Sequence, residues 1–373
     1  MAEPLKNLFS AEVIRAMAHV LERIDRFDRG IFEQVALAGL DDLEMMARAA
    51  QITQAMKASI PGDFEETLPA LFDVLHPDYS NELDGSPPDA RGLRGWSLVP
   101  VGSFVAENGL DRPQESLRFL AEMTKRFSAE FAVRPFFRDH PDKTLNAAMT
   151  WASDADHHVR RLASEGSRPR LPWGIRLQDF VRDPAPVLPI LQALRDDPSE
   201  YVRRSVANNL NDIAKDHPKL VNQIAAGWMD GADRNRQRLV KHACRSLIKS
   251  GDPDTLAIFG FGKPEQVEVT LDATKSVVLG DCLNVSVTLH NTAPQPLAAL
   301  IDLAVGFRKA DGRLSPKVFK WTETELAARA VTELTKSLPL RPVTTRVHYP
   351  GEHSIAVQVN GAVLARDTFE LLL

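Results

Sequence analysis

DPSEYVRRSVANN, residues 197–209, decides the fold once it is laid against two other stretches of the same chain. DADHHVRRLASEG (154–166) lies 43 residues before it and GADRNRQRLVKHA (231–243) lies 34 residues after it, and the three align without gaps. Each reads as a short acidic turn followed by a helix whose first turn is rich in arginine. Helical units recurring at about 40 residues predict a HEAT-like α-solenoid, because each helix pair can bury its apolar face only against its neighbours. On a helical wheel at about 100° per residue, Val202, Val206, Leu210 and Ile213 share one sector of about 80°. Arg204, Asn208 and Lys215 fall opposite, with Ser205 and Asp212 on the flank.

The same register places Arg161, Arg204 and Arg238 in one column across three successive helices. Beside it runs a second column of Glu165, Asn208 and His242. Arg160, Arg203, Lys241 and Arg245 add to the positive charge of this surface. Residues 151–250 carry 17 Lys/Arg against 12 Asp/Glu, whereas residues 1–100 carry 9 against 17, inside a chain of net charge −5. A local basic excess in an acidic protein is the electrostatic footprint expected for a polyanion such as nucleic acid. For any one of these residues a solvated charged face is the simpler account; three in register bring the binding reading level with it.

Outward from the repeats, helical apolar spacing holds from residue 5 to about 262, as in Val13, Met17, Val20 and Leu21. After Gly260-Phe261-Gly262 the period falls to two: Val267, Val269 and Leu271, then Leu283, Val285, Val287 and Leu289, then Ile355, Val357 and Val359. Asn360-Gly361 is a hairpin signal, since both residues tolerate φ > 0. The expected architecture is therefore an all-α solenoid over 1–262, followed over 263–373 by a small immunoglobulin-like β-sandwich. A chain of 373 residues has room for both.

Composition narrows the class further. Charged residues make up 25% and apolar ones 44%, which are globular values. No apolar run is long enough to span a bilayer, and the first residues lack a signal-peptide core, so a cytoplasmic protein that does not enter membranes is expected. With only Cys244 and Cys282, a disulfide framework or cysteine-built zinc site is excluded. No Walker loop, GxGxxG turn, HExxH helix or GxSxG elbow occurs. His157 and His158, adjacent on a helix, are expected to point about 100° apart and not to ligate together. No metal and no cofactor are expected. A nuclease is disfavoured for want of a carboxylate cluster suited to Mg²⁺. The informative acids are Asp212, with Asn208 one turn back, and Glu165, which follows Arg160-Arg161 and precedes GSRPRLPW. Spacing alone fits a structural ion pair as well as a catalytic carboxylate. For Trp173 it fits a core residue as well as an exposed ring that stacks on a base.

RRLASEGSRPRLPW (160–173) and YVRRSVANNLNDIAKDHP (201–218) resemble the signature of the HEAT-like-repeat DNA alkylation-repair glycosylases, in particular the AlkC branch. GWSLVPVGSFVAENG (95–109) and RFSAEFAVRPFF (126–137) are similar to it as well. VGFRKADGRLSPKVFKW (305–321) and TTRVHYPGEHSIAVQVNG (344–361) resemble the immunoglobulin-like domain of one AlkC subgroup. The resemblance covers nearly the whole chain. It implies a monofunctional, monomeric glycosylase of base excision repair that acts on duplex DNA. The bond hydrolysed would be the N-glycosidic bond of cationic N3-alkylated bases, 3-methyladenine and 3-methylcytosine. It also implies that the lesion is reached by bending the duplex rather than by full extrusion, in contrast to the usual flipping scheme. The family's acidic and aromatic site positions fall on Glu130, Glu165, Asp212 and Trp173. The alternative from another class is a non-catalytic HEAT scaffold that binds DNA or protein. Lys309, Arg313, Lys317 and Lys320 are candidate phosphate contacts if the sandwich clamps DNA; the competing role for that domain is to cap the solenoid.

Overall fold

A computed structural model describes residues 5–78, 85–343 and 346–373. Among these, sixteen α-helices run between Ala11 and Ile258 and eight strands between Val267 and Leu372. No helix among them is long and apolar enough to cross a membrane. Thr344 and Thr345, part of one motif quoted above, lie outside the described residues. Contacts divide the chain into two compact units: residues 1–216 with 233–243, and residues 217–232 with 244–373.

In the first unit the three aligned stretches become the helices His157–Gly166, Glu200–Ile213 and Arg234–Ala243, and the middle one packs on the other two. Val202, Val206, Leu210 and Ile213 are buried, as the wheel requires. Ser205, Asn209 and Asp212 are buried too, at 2, 0 and 3% exposure. A wheel treats a helix as having one covered side, whereas a central solenoid helix is covered on both flanks. Those flanking polar groups must then find partners inside the protein, since an unpaired buried polar group costs about 1–3 kcal/mol. Asn209 Nδ2 donates to Ser164 O at 2.8 Å, and Asn211 Nδ2 to Ala243 O at 2.9 Å.

The second unit holds the sandwich. Its strands are β1 (Val267–Ala273), β2 (Ser276–Val278), β3 (Cys282–Asn291), β4 (Leu297–Arg308), β5 (Leu314–Leu326), β6 (Val331–Pro339), β7 (Gly351–Val359) and β8 (Ala362–Leu372). One sheet has the order β1-β3-β6 and the other β2-β8-β7-β4-β5. Alternation sends Leu283, Val285, Val287 and Leu289 inward to meet Ile301, Leu303 and Val305 and then Ile355, Val357 and Val359 in one apolar core. Asn360-Gly361 forms the two-residue turn between β7 and β8, with φ of 47° and 77°. The glycine is required twice over, because a Cβ on Gly361 would lie 2.5 Å from Gly251 Cα. Asn360 Nδ2 donates to Gly262 O at 2.7 Å and Ala298 O at 2.9 Å, tying the turn to the end of the helical segment 244–262.

Candidate active site

The first unit gathers the sequence-predicted acids in one place. Arg168 lies between two of them: its Nη1 donates to Glu165 Oε1 at 2.7 Å and its Nε to Asp212 Oδ2 at 2.8 Å. Glu165 and Asp212 are 4 and 3% exposed. The second oxygen of Glu165 accepts from Ser205 Oγ at 2.6 Å, across the helix pair. Arg161 Nη1 donates to Glu130 Oε2 at 2.7 Å and to Ser128 Oγ at 3.0 Å. Its guanidinium also lies 4.8 Å over the Tyr201 ring.

These charges set one another's ionisation. Burial pushes the Glu165 carboxyl up, but Arg161, Arg168 and the Ser205 hydrogen bond outweigh it and hold the group below its ordinary range. Burial likewise lowers Arg161 and Arg168, and the facing carboxylates reverse the sign, so both are held above the ordinary arginine value. Tyr201 is pushed up to about 12, chiefly by burial. The result at neutral pH is an anionic Glu165 sheltered from water, beside fixed cations.

A pocket of about 320 Å³ opens onto this cluster, with Glu130, Arg161, Glu165 and Arg168 in its wall. Trp96, Phe127, Phe131, Trp173 and Tyr201 supply its aromatic surfaces. Trp96 and Phe127 pack ring to ring with centroids 4.9 Å apart. Trp173 is 67% exposed and adopts φ +64°, a left-handed conformation that bulky residues rarely take. That exposure rules out the core role which spacing left open for it. Asp212 is not in the pocket wall. It stands behind Arg168, and its other oxygen accepts from Lys215 Nζ at 3.0 Å.

The arginine column needs correction. Arg204 and Arg238 are exposed, as expected, and share a groove of about 410 Å³ with Arg203, Asn235 and His242. Arg204 Nη2 donates to Glu200 at 2.8 Å, one turn back on its own helix. Arg161, by contrast, is turned into the pocket by Glu130 and Glu165, with a side chain 16% exposed. Arg160 makes a two-pronged pair with Asp197 at 2.6 and 3.1 Å. Arg203 donates to the carbonyls of Asp197 and Pro198. Both are thus engaged at the acidic turn that opens the middle repeat: Arg160 reaches it from the preceding repeat, which a wheel of one helix could not show, and Arg203 folds back to it from its own helix. The second column divides similarly: Glu165 is buried, while Asn208 Oδ1 and His242 Nε2 meet at 3.2 Å near the surface. Lys241 is exposed, and Arg245 is an exposed residue of the second unit.

His157 and His158 do not diverge as their helical spacing predicted. Their ring centroids are 4.1 Å apart, because both fold against the Tyr201 ring, at 5.9 and 5.6 Å. With Asp156 they bring ligand atoms within 4.8 Å of one another, but an Asp156 oxygen already accepts from His158 N at 2.7 Å and caps the helix. On the sandwich, Lys309, Arg313, Lys317 and Lys320 are exposed around the β4–β5 hairpin. Arg313 pairs with Asp311 and Lys320 with Glu323, each at 2.7 Å.

Sequence reasoning missed Arg168, Trp96, Phe127, Phe131 and Tyr201 as members of the site. One signal was present: Arg168 follows Glu165 by three residues, the spacing at which helical neighbours meet. The aromatics come from loops and a neighbouring helix, and nothing local marks them.

The architecture and the pocket define a class: a HEAT-like solenoid that shelters a carboxylate–arginine site, followed by an immunoglobulin-like sandwich. A family model described as the C-terminal immunoglobulin-like domain of the uncharacterised protein YhaZ matches residues 266–373. The uncharacterized protein YhaZ of Bacillus subtilis (strain 168) is 36% identical over 364 residues, covering 96% of this chain and 97% of that protein. A solved structure of the Pseudomonas fluorescens alkylpurine DNA glycosylase AlkC, bound to DNA containing an abasic site analog, superposes with a TM-score of 0.86. It is 36% identical, and the match covers 100% of both chains. The chain belongs to the AlkC family, in the group with a C-terminal immunoglobulin-like domain.

Proposed function

We propose that this protein is a DNA-repair glycosylase that hydrolyses the N-glycosidic bond of N3-alkylated bases in duplex DNA, as a monomer and with no metal or cofactor. The observation that carries the reading is the buried, ionised Glu165 at the wall of an aromatic pocket, in a chain similar throughout to a DNA-bound alkylpurine glycosylase.

The chemistry suits such a site. Alkylation at N3 makes the base cationic, so it departs as a neutral molecule without a general acid. The transition state then requires support for positive charge developing on the sugar, the demand that carboxylates meet in O-glycoside hydrolysis. A carboxylate ~4 Å from that charge contributes roughly 4 kcal/mol at an effective dielectric near 20, against about 1 in water. At about 1.4 kcal/mol per factor of ten, a sheltered acid supplies on the order of 10²-fold in rate.

In this reading Glu165 faces the reacting sugar, and Glu130 holds the attacking water or opposes the cationic base. Asp212 is the second carboxylate that supports the sugar cation and positions the attacking water, its charge strengthened once Lys215, whose side chain is 49% exposed, is drawn toward a DNA phosphate while Arg168 stays in place. Trp173 packs against the deoxyribose or the lesion. Arg204, Arg238, Lys241 and His242 grip phosphates, which fixes register without reading sequence. Arg160 and Arg203, committed to the acidic turn at Asp197 and Pro198, take no part in that grip. The test is to incubate the protein with N3-methylated duplex DNA in the presence of EDTA and to identify free base. Release faster than in buffer supports the reading; release at the buffer rate leaves a non-catalytic scaffold.

A further inference from the structure

Arg134 is fully buried in the short helix Arg134–Asp139. Its Nε donates to Ile175 O at 2.6 Å and its Nη1 to Gly166 O at 3.0 Å. Those two carbonyls bracket residues 167–174, the segment that carries Arg168 and Trp173. The remaining nitrogen, Nη2, is sealed from solvent and has no hydrogen-bond partner among the described residues. Gly174 runs directly along the arginine stem: a Cβ there would lie 3.0 Å from Cδ, 3.1 Å from Nε of Arg134 and 3.2 Å from Leu171. Burial, with the Arg168 charge acting in the same direction, pushes Arg134 down to about 10, so it stays ionised at neutral pH. The charges acting on it are those of Arg168, Asp212, Glu130 and Glu165.

A methionine would fill the same volume without a buried charge or an orphaned donor, each of which costs stability. Only a planar guanidinium can join two carbonyls nine residues apart in the chain while adding a positive charge beneath three carboxylates. The neighbouring Trp173 sits in a backbone conformation that persists only where its surroundings over-determine it. We infer that Arg134 is a positioning residue: by tying Gly166 O to Ile175 O it holds the 167–174 loop so that Trp173 stands left-handed at the pocket mouth and Arg168 reaches Glu165 and Asp212. The loop geometry stands on its own, and the consequence for turnover rests on the glycosylase reading.

Three variants of the full chain test this. Arg134→Met removes the fork and the charge, Arg134→Lys keeps the charge but cannot make the fork, and Gly174→Ala displaces the loop from the stem with no change of charge. Each is labelled with 5-fluorotryptophan, and the Trp173 resonance is assigned by its loss in Trp173→Phe. All three are expected to shift or broaden that resonance and to open 167–174 to proteolysis. Single-turnover base release should fall on the order of 10²-fold, as for a misplaced catalytic group, with affinity for abasic-analogue DNA changed less than about threefold. An unmoved Trp173 resonance in Arg134→Met and Arg134→Lys overturns the inference, as does a parallel loss of turnover and DNA affinity. Should Arg134→Met fail to fold, Gly174→Ala decides by the same criteria. Were the unaltered protein to release no base, the fluorine and proteolysis measurements would still decide the role of Arg134, separately from the glycosylase reading.

Discussion

Trp173 sets function against stability within one residue. Its left-handed backbone costs on the order of 1 kcal/mol or more for a residue with a Cβ, and its exposed ring gains little from burial. Trp173→Gly is therefore expected to unfold at the same temperature as the parent or higher, while single-turnover release of methylated base falls at least tenfold. A lower Tm in calorimetry would show that the ring stabilises the fold and that the strain argument is wrong. Glu165 behaves in the opposite way. Its carboxyl is held below the ordinary 4.5, so its pairing stabilises the fold above that value, and the contribution is lost as the pH falls through the lower folded one. Glu165→Gln leaves two buried arginines short of a partner and should cost roughly 3–5 kcal/mol at pH 7. Urea titrations should show that cost shrinking as the pH is lowered below about 4.5, where the carboxyl of the unfolded chain protonates, and vanishing as the folded one follows at lower pH. A cost that stays constant with pH would mean that Glu165 does not ionise in the folded protein.

At the scale of elements, the repeat alignment places equivalent arginines on equivalent helices without assigning them equivalent work. Arg238 and Arg160 make the contrast testable. Arg238→Ala removes one proposed phosphate contact and should lower the slope of log K against log salt for duplex DNA by about 0.9. Arg160→Ala breaks a pair in which Asp197 is nearly sealed from solvent; it should lower Tm and leave that slope unchanged. Equal slopes for Arg238→Ala and the parent would remove Arg238 from the interface. The split was not legible in the sequence. Helical periodicity reports which side of one helix is apolar, but the acceptor for Arg160 lies 37 residues away. The β7–β8 turn was fully legible, because Asn360 and Gly361 are chosen by local backbone torsions. Gly361→Ala should be strongly destabilising, since the new methyl meets the Gly251 backbone and not a side chain that can yield. That close approach, unlike the turn itself, could be seen only in the folded chain.

For the whole molecule, the helical residues 244–262 are grouped by contacts with the sandwich rather than with the repeats. A chain ending at residue 262 would lose the Gly251–Gly361 contact and the Asn360 amide that donates to Gly262 O. It is expected to have a lower Tm and to self-associate in light scattering; a stable monomer with weakened DNA binding would favour the clamp role for the sandwich instead. Periodicity by itself determined the two architectures and the turn that closes β7 on β8. Each of these depends on torsions and burial that repeat along a single segment. The tertiary structure alone decided that Arg161 turns inward, that Arg168 joins Glu165 to Asp212, and that Trp173 is exposed and left-handed. Those outcomes depend on charges brought within hydrogen-bonding distance from positions tens of residues apart, and the energies that select them exist only once water has been excluded between the helices.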